Sequence, residues 1–285
     1  MKSNNKVFKY IFLSPVVIYS IILILLPLIY ILFLSFCKSD SYGGVLYNFT
    51  LSNYLTIINT TYIKILLKSS LIGILTTFIC ICISYPFALI LREKKEEVRN
   101  LMTKLVMIPF LTNSLIRTYG WIVLLRKNGV INNTLLGTNI ITKPLELMYN
   151  NFGIIIGMTY TLLPFMILPV CSAVFKIDNN IIEAARDLGA KPLQIFKNII
   201  IPETISGVFN GSLMVFMPAI GYFFISDILG GGKVMIIGNL IKNQFLTARN
   251  WPLGSAISIF LIIVTFLLVR VYQKTGGKLD DLGGM

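Results

Sequence analysis

Histidine is absent from all 285 residues. No imidazole is therefore available as a general base near neutral pH, as the partner of a nucleophile, or as a metal ligand. Charge is scarce as well. Only 13% of residues are charged, against roughly 25% in soluble domains, while 55% are hydrophobic. That balance leaves little room for a soluble globular fold. Acids are the scarcest, 12 against 25 Lys and Arg, for a net charge of +13. The bases form neither a patch nor a basic–aromatic repeat, so they do not indicate nucleic acid. They fall in short segments between apolar runs, where juxtamembrane charges sit. Cysteine is limited to Cys37, Cys80, Cys82 and Cys171. Cys80 and Cys82 lie two apart on a predicted helix and face different ways, which excludes a CxxC redox pair and a zinc knuckle. A membrane enzyme would need histidine or a cluster of paired acids, and neither is present.

What the chain has in excess is long apolar runs. A bilayer core takes about 20 residues of helix, and six segments qualify: Tyr10–Phe36, Ile65–Leu91, Leu101–Leu125, Phe152–Phe175, Gly207–Leu229 and Trp251–Tyr272. They are continuously apolar rather than alternating, as barrel strands would be. In lipid the backbone must satisfy itself, so all six are helices. The expected fold class is an all-α membrane protein with six transmembrane helices. The first run is charge-free for about 27 residues, well beyond the apolar stretch of a signal peptide, and no small-x-small cleavage site follows. It is read as a retained span.

With the N-terminus inside, the inner segments hold 13 Lys and Arg and the outer loops 8. That bias predicts both termini in the cytoplasm. Trp121 and Trp251 then fall near outer ends, as interface aromatics do. Proline punctuates most spans, at Pro15, Pro27, Pro86, Pro109, Pro164, Pro169 and Pro218. Each removes a helix hydrogen bond, although proline is common in membrane helices. Pro164 and Pro169, in one span, are the best candidates for a bend that lines a cavity. No internal repeat, paired half-helices or midplane carboxylates are read from the pattern, features that a secondary transporter would show.

One polar stretch stands between two spans on the predicted inner side, residues 176–206. Asp178, Asn179 or Asn180 can cap a short helix through Ile182-Glu183-Ala184-Ala185-Arg186-Asp187-Leu188. Gly189 suits the left-handed residue that ends it. Pro192 suits the first turn of a second helix, expected over Pro192–Ile199. The product is a helix-turn-helix elbow projecting from the membrane, with a small face at Ala184 and Ala185 for close packing against a partner.

These residues carry a resemblance. Glu183-Ala184-Ala185, three residues, Gly189, nine residues, then Ile199-Ile200-Ile201-Pro202 resembles the signature loop of ATP-binding-cassette (ABC) importer permeases, departing only in Ile201 for leucine. The resemblance implies the type I ABC importer permease fold with a cytoplasmic coupling-helix loop. It implies a permease domain over 65–273, preceded by a tail, first span and outer loop over 1–64 and followed by a cytoplasmic tail over 274–285. It further implies that Glu183, Ala184, Ala185, Gly189, Ile199 and Pro202 dock on separate ABC ATPase subunits through the 183–202 loop. ATP and Mg would then be bound by the ATPase, and this chain would need no cofactor, metal or catalytic residue of its own.

Several other segments resemble the B-type permeases of spermidine/putrescine importers. They are Met107-Ile108-Pro109-Phe110-Leu111-Thr112-Asn113 on to Tyr119-Gly120; Leu162-Leu163-Pro164-Phe165-Met166; Phe223 to Gly232; and Ala248-Arg249-Asn250-Trp251-Pro252. The implied setting is the cytoplasmic membrane of a bacterium. The implied partners are a second, C-type permease and an extracytoplasmic polyamine-binding protein.

A polycation asks for carboxylates and ring faces along its path, and aromatic faces attract cations. Asp227, Tyr222, Tyr160 and Trp251 are the candidate substrate contacts. Asp227 is equally readable as a water-facing helix end or half of a structural ion pair. Arg117 would repel a polycation. It either snorkels to headgroups or neutralises a carboxylate such as Asp227. Gly230-Gly231-Gly232-Lys233 is no P-loop, because Val234 stands where Ser or Thr should hold magnesium. Two alternatives stay open: an importer permease for a different small solute, and an ATP-independent channel or secondary transporter.

Overall fold

The computed structural model describes residues 14–40 and 43–274, with side chains to residue 270. Predicted features at 1–13, 41–42 and 275–285, including the basic N-terminal tail and most of the C-terminal one, lie outside the described residues. Among these residues five helices are long and apolar enough to cross a membrane: Ser14–Ser35 (α1), Thr60–Arg92, Asn151–Phe175, Pro192–Gly221 and Trp251–Arg270.

The chain forms two compact units, the first comprising residues 1–63 and 240–264 and the second 64–239 and 265–285. In the first, α1 leaves its apolar side chains exposed, as a lipid-facing helix does. Its π-helical turn at Ile21–Leu25 lies around the carbonyl that Pro27 leaves without a donor. A short helix, Ser52–Ile57 (α2), docks back on its end. There the buried Asn53 amide donates to the carbonyls of Ser35 (2.9 Å) and Cys37 (2.8 Å), and Ser35 Oγ lies 2.7 Å from Tyr54 OH. Two short antiparallel strands, Lys38–Ser39 (β1) and Val45–Leu46 (β2), pair Lys38 with Leu46.

The second unit carries the core. Its elements are Thr60–Arg92 (α3, from residue 64), Glu96–Met107 (α4), Ser114–Leu125 (α5), Val130–Gly137 (α6), Asn151–Phe175 (α7), Asn179–Asp187 (α8), Pro192–Gly221 (α9), Phe223–Gly230 (α10) and the start of Ile237–Leu246 (α11). The last helix, Trp251–Lys274 (α12), divides between the units.

Residues Ile154, Met158, Leu162, Met166, Val170 and Val174 recur every four positions on α7 and are all fully buried. They form one continuous ridge. Lipid is as apolar as leucine, so close packing rather than water exclusion holds such helices together. Gly207 and Gly211 of α9 supply the close approach. A Cβ at Gly207 would stand 2.7 Å from the Pro169 carbonyl, and one at Gly211 would stand 2.6 Å from Met166 Sδ.

Two expected spans differ, the third and the fifth. The third is not one helix over Leu101–Leu125. It is α4, a 3-10 turn at Ile108–Leu111, and α5 with Asn113 as its N-cap. Pro109 lacks the N–H that would carry the helix through. The fifth begins earlier than Gly207: α9 runs unbroken from Pro192 to Gly221, absorbing the expected separate helix Pro192–Ile199. It stops at Tyr222, beyond which α10 is a separate short helix. The bends therefore fall at Pro109 and just after Pro218, whereas α7 stays helical through Pro164 and Pro169.

Candidate functional site

The elbow is built as its sequence requires. The Asp178 carboxylate caps α8 by accepting from the Asn180 N–H (2.9 Å). Gly189 ends it at φ +80°, with its N–H on the Arg186 carbonyl (2.9 Å) and the Ala190 N–H on the Ala185 carbonyl (3.0 Å). This is the left-handed cap that glycine adopts without strain. Pro192 opens α9, where the Lys191 N–H donates to Gln194 Oε1 at 2.8 Å. A π turn at Phe196–Ile200, with the Ile201 N–H on the Phe196 carbonyl, then precedes Pro202.

The two arms share a small core of Ile177, Ile182, Ile195 and Ile200, against which Tyr85 and Leu89 of α3 pack. Four contacts bolt the elbow to α3. Tyr85 OH lies 2.6 Å from Thr204 Oγ1, and its ring meets Phe196 edge-on. Arg92 Nη2 donates to the Ile177 carbonyl (3.0 Å) and to Asn179 Oδ1 (2.8 Å). The elbow is therefore a rigid piece continuous with α9.

Beside the elbow a cleft of about 1490 Å³ is lined on one side by Arg92, Lys94, Lys95 and Arg99. Of the predicted docking residues, Glu183, Ala184, Gly189 and Pro202 are exposed, while Ala185 and Ile199 are half-buried within the elbow itself. Two residues that the motif does not point to are the most exposed apolar groups there, Leu188 at 88% and Leu193 at 75%. No described residue covers them. Their only sequence signal is an apolar side chain at each edge of the turn.

The predicted pathway residues separate. Tyr160, Tyr222 and Asp227 belong to the second unit and Trp251 to the first, where it meets Phe245 edge-on at 6.2 Å. Asp227 is half-buried on α10 and accepts from the Asn239 amide at 2.6 Å. Asn239 also donates to the Phe223 carbonyl (3.1 Å) and accepts from the Ile236 N–H (3.1 Å). It thereby ties the broken end of the fifth span to the loop after it.

Tyr160 on α7 gathers residues that sequence reading did not assign. Trp121 of α5 meets it edge-on at 5.5 Å. The guanidinium of Arg117 lies 5.8 Å over the Tyr160 ring and 5.8 Å over that of Phe110. Phe110, in the 3-10 turn, meets Phe165 edge-on at 5.1 Å. Arg117 is also near enough for its charge to bear on Tyr222 at the other helix break. Arg117 Nε and Nη1 are buried and have no hydrogen-bond acceptor among the described residues. These two nitrogens neither reach out to headgroups nor meet a carboxylate among the described residues.

The arrangement offers a mechanical lever and a ring-lined cation site. No group of three or more His, Cys, Asp or Glu residues among the described residues could hold a metal. Residues 81–275 match the family described as binding-protein-dependent transport system inner membrane component, and the chain belongs to that family. It is thus the multi-pass membrane permease subunit of an ABC importer, a transport component rather than an enzyme. It is 40% identical over 280 residues, 98% of each chain, to the spermidine/putrescine transport system permease protein PotB of Haemophilus influenzae. It is 42% identical over 260 residues, 91% of this chain and 94% of the relative, to PotB of Escherichia coli. A bacterial alginate ABC transporter, solved in complex with an alginate pentasaccharide-bound periplasmic protein, shares the fold. Its TM-score is 0.75 at 16% identity, over 94% of this chain and 93% of that one.

Proposed function

We propose that this chain forms half of the membrane pathway of an ATP-driven importer of spermidine and putrescine, working by alternating access. The observation that carries the cargo is the likeness, over nearly the whole chain, to permeases whose names state spermidine/putrescine transport. In this reading residues 65–273 are the permease domain, both termini are cytoplasmic, and the elbow faces the cytoplasm. A C-type permease forms the other half, and a polyamine-binding protein delivers cargo outside. ABC ATPase subunits, holding ATP and Mg, grip the 183–202 loop through Glu183, Ala184, Gly189 and the exposed Leu188 and Leu193. Ala185 and Ile199 shape the loop from within, and the exposed Pro202 closes its far end.

The mechanism follows from stiffness. α8 and the start of α9 share one core, so a pull on α8 moves α9. As a 30-residue helix, α9 spans about 45 Å and delivers that displacement to the break at Tyr222. Tyr222, Tyr160 and Asp227 lie on the elements around that break and are the proposed cation contacts; Trp251, on the first unit, is a separate candidate.

The test is growth of a strain lacking polyamine synthesis and uptake, with all partners co-expressed. Rescue by spermidine is expected, and labelled uptake should resist competition by unrelated solutes. No rescue with every partner in the membrane sinks the cargo. A different solute is the second reading, and Arg117, a fixed positive charge among the pathway candidates, is what favours it. The two broken helices are a feature of channels and secondary transporters too, but family membership stands against an ATP-independent mode.

A further inference from the structure

Arg117 is the least explained charge in the protein. It lies in a span, touches two ring faces, and buries two nitrogens with no acceptor. We propose that Arg117 is a tethered competitor of the cargo: its guanidinium covers the faces of Phe110 and Tyr160 that a substrate ammonium group needs, and substrate takes its place on those faces during passage. This rests on the polyamine reading above and names how that site selects.

Three observations support it. First, the rings. A cation within about 6 Å of a ring centroid is attracted by the ring's negative face, and Arg117 satisfies this for two rings at once. An ammonium group is held by the same faces. Guanidinium is the more weakly hydrated of the two cations, which suits it to a long stay in a dry site.

Second, the hold is weak. An arginine that locks a structure does so through directional hydrogen bonds to carboxylates or carbonyls. Here Nε and Nη1 have neither, so releasing the side chain breaks ring contacts only and frees its N–H groups to find acceptors. Third, the site sits on a joint. Phe110 belongs to the 3-10 turn that interrupts the third span, and α5 starts at Ser114. Arg117 is thus in the first turn of α5, where the helix dipole disfavours a positive charge. Any change of angle at the 108–113 break moves Phe110 relative to Tyr160 and opens the stack.

Selectivity follows. A small alkali ion gains little from the rings once its hydration is counted and leaves the guanidinium in place. A polyamine brings an ammonium group together with aliphatic linkers that pack along Trp121 and Phe165, and this apolar packing offsets the cost of dehydrating the cation. The fixed charge that seems hostile to a polycation then acts as a plug against other cations.

The experiment uses the purified complete importer and labelled spermidine at equilibrium without ATP. Arg117→Met, which keeps the length and removes the charge, is expected to bind spermidine about tenfold more tightly than wild type, since a competing cation on two rings is gone. Arg117→Lys keeps a tethered cation and is expected to stay near wild type. Tyr160→Leu is expected to lose the gain when combined with Arg117→Met.

A second measurement needs no variant. Spermidine should accelerate modification of Arg117 by phenylglyoxal several-fold in the wild-type complex, read by mass spectrometry of its peptide. Equal or weaker binding by Arg117→Met, or modification that spermidine leaves unchanged or slows, overturns the proposal. Absence of spermidine binding and uptake in wild type overturns the cargo reading instead, a distinguishable result.

Discussion

The elbow glycine gives the sharpest test of the lever. Gly189 has φ +80°, and a Cβ placed there would meet nothing within 4 Å inside the chain. Alanine at this position therefore adds backbone strain but no internal clash, about 1–2 kcal/mol for a left-handed L-residue. That reduces the population of the native elbow by roughly 5- to 30-fold relative to competing conformations. Asparagine, which tolerates the left-handed region, costs less. Proline fixes φ near −65° and removes the N–H that bonds the Arg186 carbonyl, so the cap cannot form and the cost is about 3 kcal/mol or more.

The expected order of ATP-driven uptake in proteoliposomes is Gly, Asn, Ala, then Pro with none. Insertion should be unchanged and any fall in thermal stability should stay within the local cost of the elbow, because the buried ridge of α7 lies in a different cluster from the elbow core. Substrate-stimulated ATPase activity should fall in the same order. Wild-type uptake by Gly189→Pro refutes the lever. If Asn and Ala are as inactive as Pro, side-chain size in the ATPase groove decides, not backbone conformation.

Leu188→Asp and Leu193→Asp change exposed residues, so the permease should fold normally. Each loses the burial of a leucine against the partner, about 1.5–3 kcal/mol, so ATPase co-purification should weaken roughly tenfold or more; unchanged co-purification removes these residues from the interface. Asn239→Ala deletes hydrogen bonds to Phe223, Asp227 and Ile236. At about 0.6 kcal/mol each in a membrane protein, roughly 2 kcal/mol should be lost and the melting midpoint of the solubilised importer should drop. Gly211→Leu drives a side chain into Met166, at about 1–3 kcal/mol for overpacking; normal thermal stability would show that α7 and α9 are not packed as described.

Much of this protein is legible residue by residue. Long apolar runs can only be helices in lipid, and the elbow is a contiguous stretch whose cap, turn and proline act on their immediate neighbours. Asp178, Gly189 and Pro192 therefore perform their expected backbone roles. The breaks are less legible. A hydropathy window averages across Pro109 and Tyr222, and seven predicted prolines do not announce which of them interrupts a helix. Pro164 and Pro169 sit in a helix that continues through them, buried against its neighbours, while Pro109 and Pro218 lie at or near ends that other groups can satisfy. Asn239, for example, takes up the Phe223 carbonyl from 16 residues away.

The candidate cation site divides in the same way. Tyr160 and Tyr222 could be chosen by chemistry, because a polycation needs ring faces. That Arg117 already covers the Tyr160 face, and the Phe110 face too, depends on the 3-10 turn, α5 and α7 meeting, and no local pattern encodes that meeting. The amino-acid order alone thus determined the solvent, the number and rough place of the apolar runs, the elbow's cap and turn, and the family. Only the tertiary structure decided where helices break, which alanine of the elbow turns inward, and what a buried guanidinium rests on, because each depends on contacts between residues far apart in the chain.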